Sequence, residues 1–418
     1  MIASQGSRRQ QTTYSFDEAG RMTVFTNFNG VATGYGYDDA NRLTLISSPV
    51  AEYAFTLDGN GNRINETCSE PLTMTDTQST AAYGYNVYGN RLTSAGPASF
   101  YYDNEGQLGG GYGSSYTFDG LHRLTGMSGA NSATYSYDGS GNRLQAIRGG
   151  TTTQYVYDAA GNLLCETDAS NNVTRYYIYG AGLLAMVTAD ATPQVYCYHF
   201  NATGSTVALT DANQAIVKSY AYDPFGNCNE AGDVNLTQPF KYVGQFGVMA
   251  EPNGFYYMRA RYNDPKVGRF ISEDPTGFGG GDVNLSNYVG GNPVNYVDWN
   301  GLELKNPIKE IPSLSDTYRN SKYVAPIADI AIGSIELGFA ITTGVATVAT
   351  VSQPELWYEV TAPAATATVE FGQAGWDRLT SGLSALADIV YDSNPQGSSV
   401  DPGGWHPPLK YKGNKPCP

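Results

Sequence analysis

Histidine is scarce in this chain: 418 residues hold only His122, His199 and His406. That excludes nuclease sites built on clustered histidines and zinc sites of the H-E-x-x-H kind. Cysteine is almost as sparse. Cys68, Cys165, Cys197, Cys228 and Cys417 are odd in number and scattered without C-x-x-C spacing, so they make neither a zinc cluster nor a disulfide framework. No glycine-rich phosphate loop of the Walker type occurs, and neither a cofactor nor a resident metal is expected. Charge is also thin, at 15% of residues, and its balance is acidic: 39 Asp and Glu against 24 Lys and Arg give a net charge of −15. Such a surface repels phosphate backbones, which disfavours nucleic acid as a partner. The opening "MIASQGSRRQQTTYSF" has arginines with no apolar run behind them, so no ordinary signal peptide is visible.

What is abundant is tyrosine, 33 against 15 phenylalanines, with 49 glycines. "YSYDGSGNRLQAI", from Tyr135, has close copies in "YSFDEAGRM" at Tyr14, "YGYDDANRL" at Tyr35, "FTLDGNGNRI" at Phe55, "YGYNVYGNRL" at Tyr83, "YTFDGLHRL" at Tyr116, "YVYDAAGNLL" at Tyr155 and "YAYDPFGN" at Tyr220. A period near 20 residues marks a repeat architecture. Tyr135 and Tyr137 point to one face of a strand; Asp138 bonds its own backbone, Gly141 supplies a positive φ and Asn142 tolerates one; Arg143 and Leu144 start the return strand. Each unit is therefore a β-hairpin, too small to stand alone and stabilised by its neighbours. The post-turn arginine is expected to stack on a tyrosine or bridge an aspartate. The D-x-N-x-N order at Asp58 resembles a calcium loop, but Arg63 and Ser69 stand where glycine and glutamate are required, so turn chemistry is the default.

Three regions follow: repeats over 1–238, a denser segment over 239–302, and a C-terminal region over 303–418 without repeats. The repeats, together with "FYYMRARYNDPKVGRFISEDPTGF" and "NLSNYVGGNPVNYVD", closely resemble the RHS or YD-repeat proteins, including the C component of bacterial Tc toxin complexes and, more distantly, teneurins. The resemblance covers residues 14–302. It implies a β-ribbon spiralling into a hollow shell around a variable C-terminal polypeptide, closed by a core segment that works as an aspartyl self-protease. The carboxylates it implies are Asp274 and Asp298, with Arg269 as supporting cation and the cut after Leu302. The chemistry is sound on its own terms, since peptide hydrolysis needs one carboxylate to activate water and a protonated one to donate. Carboxylates more than about 7 Å apart could not share that water. Asp274 and Asp298 also suit plain turns, and Trp299 stands where the family usually has proline.

The fold class expected is mainly β: tandem antiparallel hairpins in one curved, incomplete shell, followed by a small helix-containing C-terminal region. About ten hairpins, with strands roughly 4.8 Å apart, span an edge of about 95 Å. Closed into a cylinder, that gives a radius of about 15 Å, too narrow for a cargo whose own radius of gyration is about 13 Å. An unpaired edge near Tyr14 and poor solubility are expected, with further turns on a longer precursor or a partner chain. Beyond Leu302, "VAPIADIAIGSIELGFAITTGVATVATV" (324–351) carries Asp329 and Glu336, which leaves an uncharged run short of the roughly 20 residues of a bilayer span. It reads as one or two buried helices, with a membrane-active segment as the alternative. Residues from Phe371 read as an amphipathic helix, and the end as a Pro- and Gly-rich tail. Cys417 with His406 makes only a weak nucleophile and base pair, so no catalytic motif of the cargo is recognisable.

The expected function is a secreted or cell-surface shell protein of the RHS family that releases a C-terminal effector by self-cleavage, in bacterial competition or toxin delivery. Its partners would be its own C-terminal region as cargo, a secretion apparatus, an immunity protein or an upstream shell. The rivals are a carbohydrate-binding or adhesion protein whose tyrosines face solvent, and a fragment of a longer shell.

Overall fold

The computed structural model describes residues 10–74, 81–180 and 182–307, and the backbone of four further strands, Leu337–Thr343, Thr347–Ser352, Glu355–Val360 and Ala365–Phe371. The hairpins rest on one repeated turn. The Asp138 carboxylate accepts hydrogen bonds from the backbone N–H of Ser140 (2.8 Å) and Asn142 (2.9 Å), while its second oxygen takes the Asn142 side-chain amide at 3.0 Å. At Asp58 the same three bonds recur, from Asn60, Asn62 and the Asn62 amide, so both oxygens serve the turn. Both roles expected of the post-turn arginine occur together: Arg123 pairs with Asp119 at 2.7 Å and lies 4.9 Å over the Tyr137 ring.

Strands from Gln10–Phe16 to Cys228–Gly232 pair antiparallel in chain order, with no helix among the described residues of that span. They do not form one sheet. The first six belong to a ten-stranded sheet, Tyr83–Tyr85 to Ala98–Ser99 form a three-stranded one, and Tyr101–Tyr102 to Cys228–Gly232 a fourteen-stranded one. At the interruption the aromatic face opens: Tyr83 and Tyr85 are 48% and 49% exposed, whereas Tyr135 is 5% and Tyr220 0%.

The edge expected to be unpaired at Tyr14 is covered. Ala365–Phe371 runs antiparallel to Gln10–Phe16, with Tyr14 opposite Ala367, and Leu337–Thr343 pairs on its far side. Part of the stretch read as helices, 324–351, is therefore strand. "LGFAITT", "TVATVS" and "ATATVEF" are rich in β-branched residues, which favour a pleated surface. The row of free N–H and C=O groups at a sheet edge gives them somewhere to pair. The amphipathic helix beyond Phe371 and the tail lie outside the described residues.

Residues 239–302 pack against the ribbon's aromatic face. Their four-stranded sheet, Met249–Ala250, Tyr256–Met258, Arg261–Asp264 and Arg269–Phe270, places Tyr262 5.8 Å from Tyr135, and the neighbouring Phe255 5.6 Å from Tyr116. The centre of this contact is ionic. Glu251 accepts from Arg143 and from both Arg148 (2.8 Å) and the Tyr135 hydroxyl (2.8 Å), with Arg143 and Glu251 fully buried and the Arg143 guanidinium flanked by the rings of Tyr135, Tyr155 and Tyr257.

Candidate functional site

The core sheet sorts its arginines by parity. Residues i and i+2 of a strand share a face, as do directly paired residues. Asn263 pairs with Phe270 and Asp264 with Arg269, so Arg261, Asn263 and Phe270 share one face while Arg269 lies on the other. The Arg261 guanidinium accordingly sits 3.7 Å from the Phe270 ring centroid. Its Nε donates to the Gly301 carbonyl at 2.6 Å and one terminal nitrogen to the Leu285 carbonyl at 2.9 Å. The other terminal nitrogen meets the Asp274 carboxylate at 2.8 Å and the Asp298 carboxylate at 3.3 Å. One cation therefore holds both acids and the backbone at Leu285 and Gly301.

The bond after Leu302 lies on a loop closed by two hydrogen bonds between Val297 and Lys305, 2.9 and 2.7 Å long. Inside it, the Asp298 carboxylate accepts from the N–H groups of Gly301 (2.7 Å) and Leu302 (3.1 Å). The Asn300 side-chain oxygen accepts from Leu302 (3.0 Å) and Glu303 (3.3 Å). Gly301 is required: its φ is +71°, and a Cβ there would lie 2.7 Å from the Met258 carbonyl. Position 299, where proline was expected from the resemblance, is fixed by packing instead, since Trp299 stacks on Phe246 at 4.7 Å and 22°.

Because the two carboxylates contact the same nitrogen of Arg261, their nearest oxygens are at most about 6.1 Å apart, the sum of the two contacts, within reach of a shared water. A cavity of about 110 Å³ is lined by Arg261, Asp274, Asn284, Asp298, Leu302 and Glu303, room for at least one water beside the Leu302–Glu303 bond. Burial pushes the Asp298 carboxyl above its ordinary range, against the opposing effects of Arg261 and the backbone N–H groups of Leu302 and Gly301.

Asp274, Asp298 and Leu302 are brought together; Arg269 is not. It donates to the Asn90 carbonyl (2.8 Å) and the Asn284 side chain (2.9 Å) and lies over Tyr85. Arg261 takes the place assigned to it. Arg269, five residues before Asp274, was what the resemblance implied, whereas strand parity is the signal that separates the two.

Among known proteins, the family model described as the teneurin YD-shell matches residues 2–279. The tRNA nuclease WapA of Bacillus subtilis (strain 168) is 36% identical over 259 residues, 59% of this chain and 11% of that protein. The double-stranded DNA deaminase toxin A of Burkholderia cenocepacia (strain H111) is 26% identical over 345 residues, 72% of this chain and 23% of that protein. The crystal structure of TcdB2-TccC3 superposes with a TM-score of 0.55 at 18% identity, covering 69% of this chain and 20% of that one. The chain thus spans less than a quarter of the length of these relatives.

Proposed function

The chain belongs to the teneurin YD-shell family, and on that premise we propose that it is a toxin-delivery shell that cuts itself after Leu302 and frees residues 303–418 as an effector. The observation that carries the reading is the shared hold of Arg261 on Asp274 and Asp298 beside the Leu302–Glu303 bond. Asp274 takes a proton from a water in the cavity as its oxygen bonds to the Leu302 carbonyl carbon. Asp298, which burial favours in its protonated form, gives a proton to the Glu303 nitrogen as the C–N bond breaks. A Leu302 carboxylic acid and a Glu303 amine result, between which a proton then passes to give carboxylate and ammonium, and the two acids have exchanged protonation states.

Arg261 keeps the pair from both being neutral, because its charge favours an ionised oxygen against it. Burial of the ribbon tyrosines supports a shell over an adhesin, since ligand-binding tyrosines would face solvent, and Tyr14 is 2% exposed. The relatives' toxin names support delivery outside the producing cell, to a competitor or a host, with a secretion apparatus, an immunity protein or other toxin components as partners. Their nuclease and deaminase activities belong to those proteins. N-terminal sequencing of the smaller product of the purified chain tests the reading: it should begin at Glu303, and a different start or an absent product would count against it.

A further inference from the structure

Four Asn-Gly steps occur in the chain, at Asn29, Asn60, Asn253 and Asn300. In this step the glycine nitrogen can attack the preceding side-chain amide, because glycine offers no Cβ to block ring closure. What the step needs is an acceptor for the N–H proton and donors for the oxygen that gains charge. At the other three the N–H of Gly30, Gly61 and Gly254 donates to the backbone carbonyl of Asn27, Asp58 and Glu251 at 2.8, 3.1 and 2.9 Å, and of these only Gly61 also faces a carboxylate, that of Asp58, whose turn hydrogen bonds hold it below its ordinary range and make it a weaker base. Gly301 differs, since its N–H donates to the Asp298 carboxylate at 2.7 Å. The Asn300 side-chain oxygen also takes two backbone N–H groups, from Leu302 and Glu303, whereas those of Asn29 and Asn253 each take one, from Val31 and Phe255.

We propose that Asn300-Gly301 is a modification site, converting through a succinimide to aspartate and isoaspartate with the ionised Asp298 carboxylate as proton acceptor. The Gly301 N to Asn300 Cγ bond forms as the N–H proton passes to Asp298, and the Leu302 and Glu303 N–H groups hold the resulting oxyanion. The Cγ–Nδ2 bond then breaks and ammonia leaves, taking the proton from Asp298. Water opens the ring at either carbonyl. The net change is one water consumed and one ammonia released, with Asp298 restored. Burial raises the Asp298 carboxyl, which makes its ionised form a stronger base than an exposed aspartate. Cleavage and this conversion draw on opposite protonation states of the same residue, and isoaspartate would move Leu302 relative to Asp298 by lengthening the backbone between them.

The test is peptide mapping of the purified full chain during neutral incubation, with fragmentation that separates aspartate from isoaspartate. Asn300 lies before the proposed cut, so its peptide is read in cut and uncut chains alike, and failure of cleavage leaves this measurement intact. Asn300 should convert about a hundredfold faster than any of the other three, the low end of what a positioned base contributes. Asp298→Asn should bring it to their level and leave Asn60 unchanged. Simple exposure favours Asn60, which lies on an exposed turn. Faster conversion at Asn60, or an undiminished rate at Asn300 in a folded Asp298→Asn chain, would overturn the assignment; if that variant does not fold, the wild-type ranking decides alone.

Discussion

Glu251→Gln should destabilise the chain by about 3 kcal/mol, the range for removing one partner of a buried ion pair. The side chains of Arg143 and Glu251 are 0% and 1% exposed, and Arg148 adds a second cation to the same carboxylate. The substitution keeps the volume but leaves a fully desolvated guanidinium without its counter-charge. The tyrosine rings around Arg143 remain, and their attraction of about 1–2 kcal/mol keeps the loss near the lower end. Urea unfolding followed by tyrosine fluorescence reads the effect as a lowered midpoint. Asp17→Asn is the control, because that aspartate pairs with Arg21 at partial exposure of both, where a pair contributes no more than about 1 kcal/mol. Equal effects from the two variants would refute the view that this ionic centre fastens residues 239–302 to the ribbon. The pH dependence has a fixed sign. Burial pushes the Glu251 carboxyl upward, but Arg143 and Arg148 outweigh it and hold the group below its ordinary range. Its contribution is therefore present above the unfolded value of about 4.3 and is lost as pH falls through the lowered folded value.

Arg261→Met should abolish self-cleavage, while Arg269→Ala should leave its rate within about threefold, since that side chain touches neither acid; gel analysis of freshly synthesised chain compares them, and the reverse pattern would restore Arg269 to the site. Trp299→Ala should cost about 2–3 kcal/mol through loss of the Phe246 stack, read as a lowered melting temperature; an unchanged value would show that the ring does not fix the loop. His199, which burial lowers to about 4, and Asp264, which burial raises to about 6, act oppositely as pH falls: the unfolded histidine gains its proton first and draws the chain open, while the folded aspartate gains its own first and opposes this. Asp264→Asn should therefore steepen the loss of stability between about pH 6.5 and 4, and a parallel curve for wild type and variant would contradict the offset.

The hairpins were legible because the signals that form them are local. Asp138, Gly141 and Asn142 complete their turn within five residues, and the i, i+2 tyrosines declare the strand. Asp274 and Asp298 were legible through resemblance alone, since nothing in their spacing of 24 residues requires that they meet. The contact of Arg261 with both acids was missed because it arises from the register of a four-residue strand, which the sequence does not announce. The break near Tyr83 was likewise hidden: its repeat reads like the others, and only the sheet pairing shows the interruption at which its tyrosines become half-exposed. The stretch 324–351 illustrates a different failure: it reads as buried helices, but its strand Leu337–Thr343 pairs with Ala365–Phe371, which in turn covers the edge at Gln10–Phe16.

The most direct test of the central claim is the intact mass of the full chain beside its Asp274→Asn and Asp298→Asn variants, each checked for folding by its melting curve. The wild type should resolve into two pieces joined originally at Leu302 and Glu303, and each variant should stay whole, because each lacks one of the two proton-transfer groups. A wild-type chain of undivided mass, or a variant cut at the wild-type rate, would contradict the account.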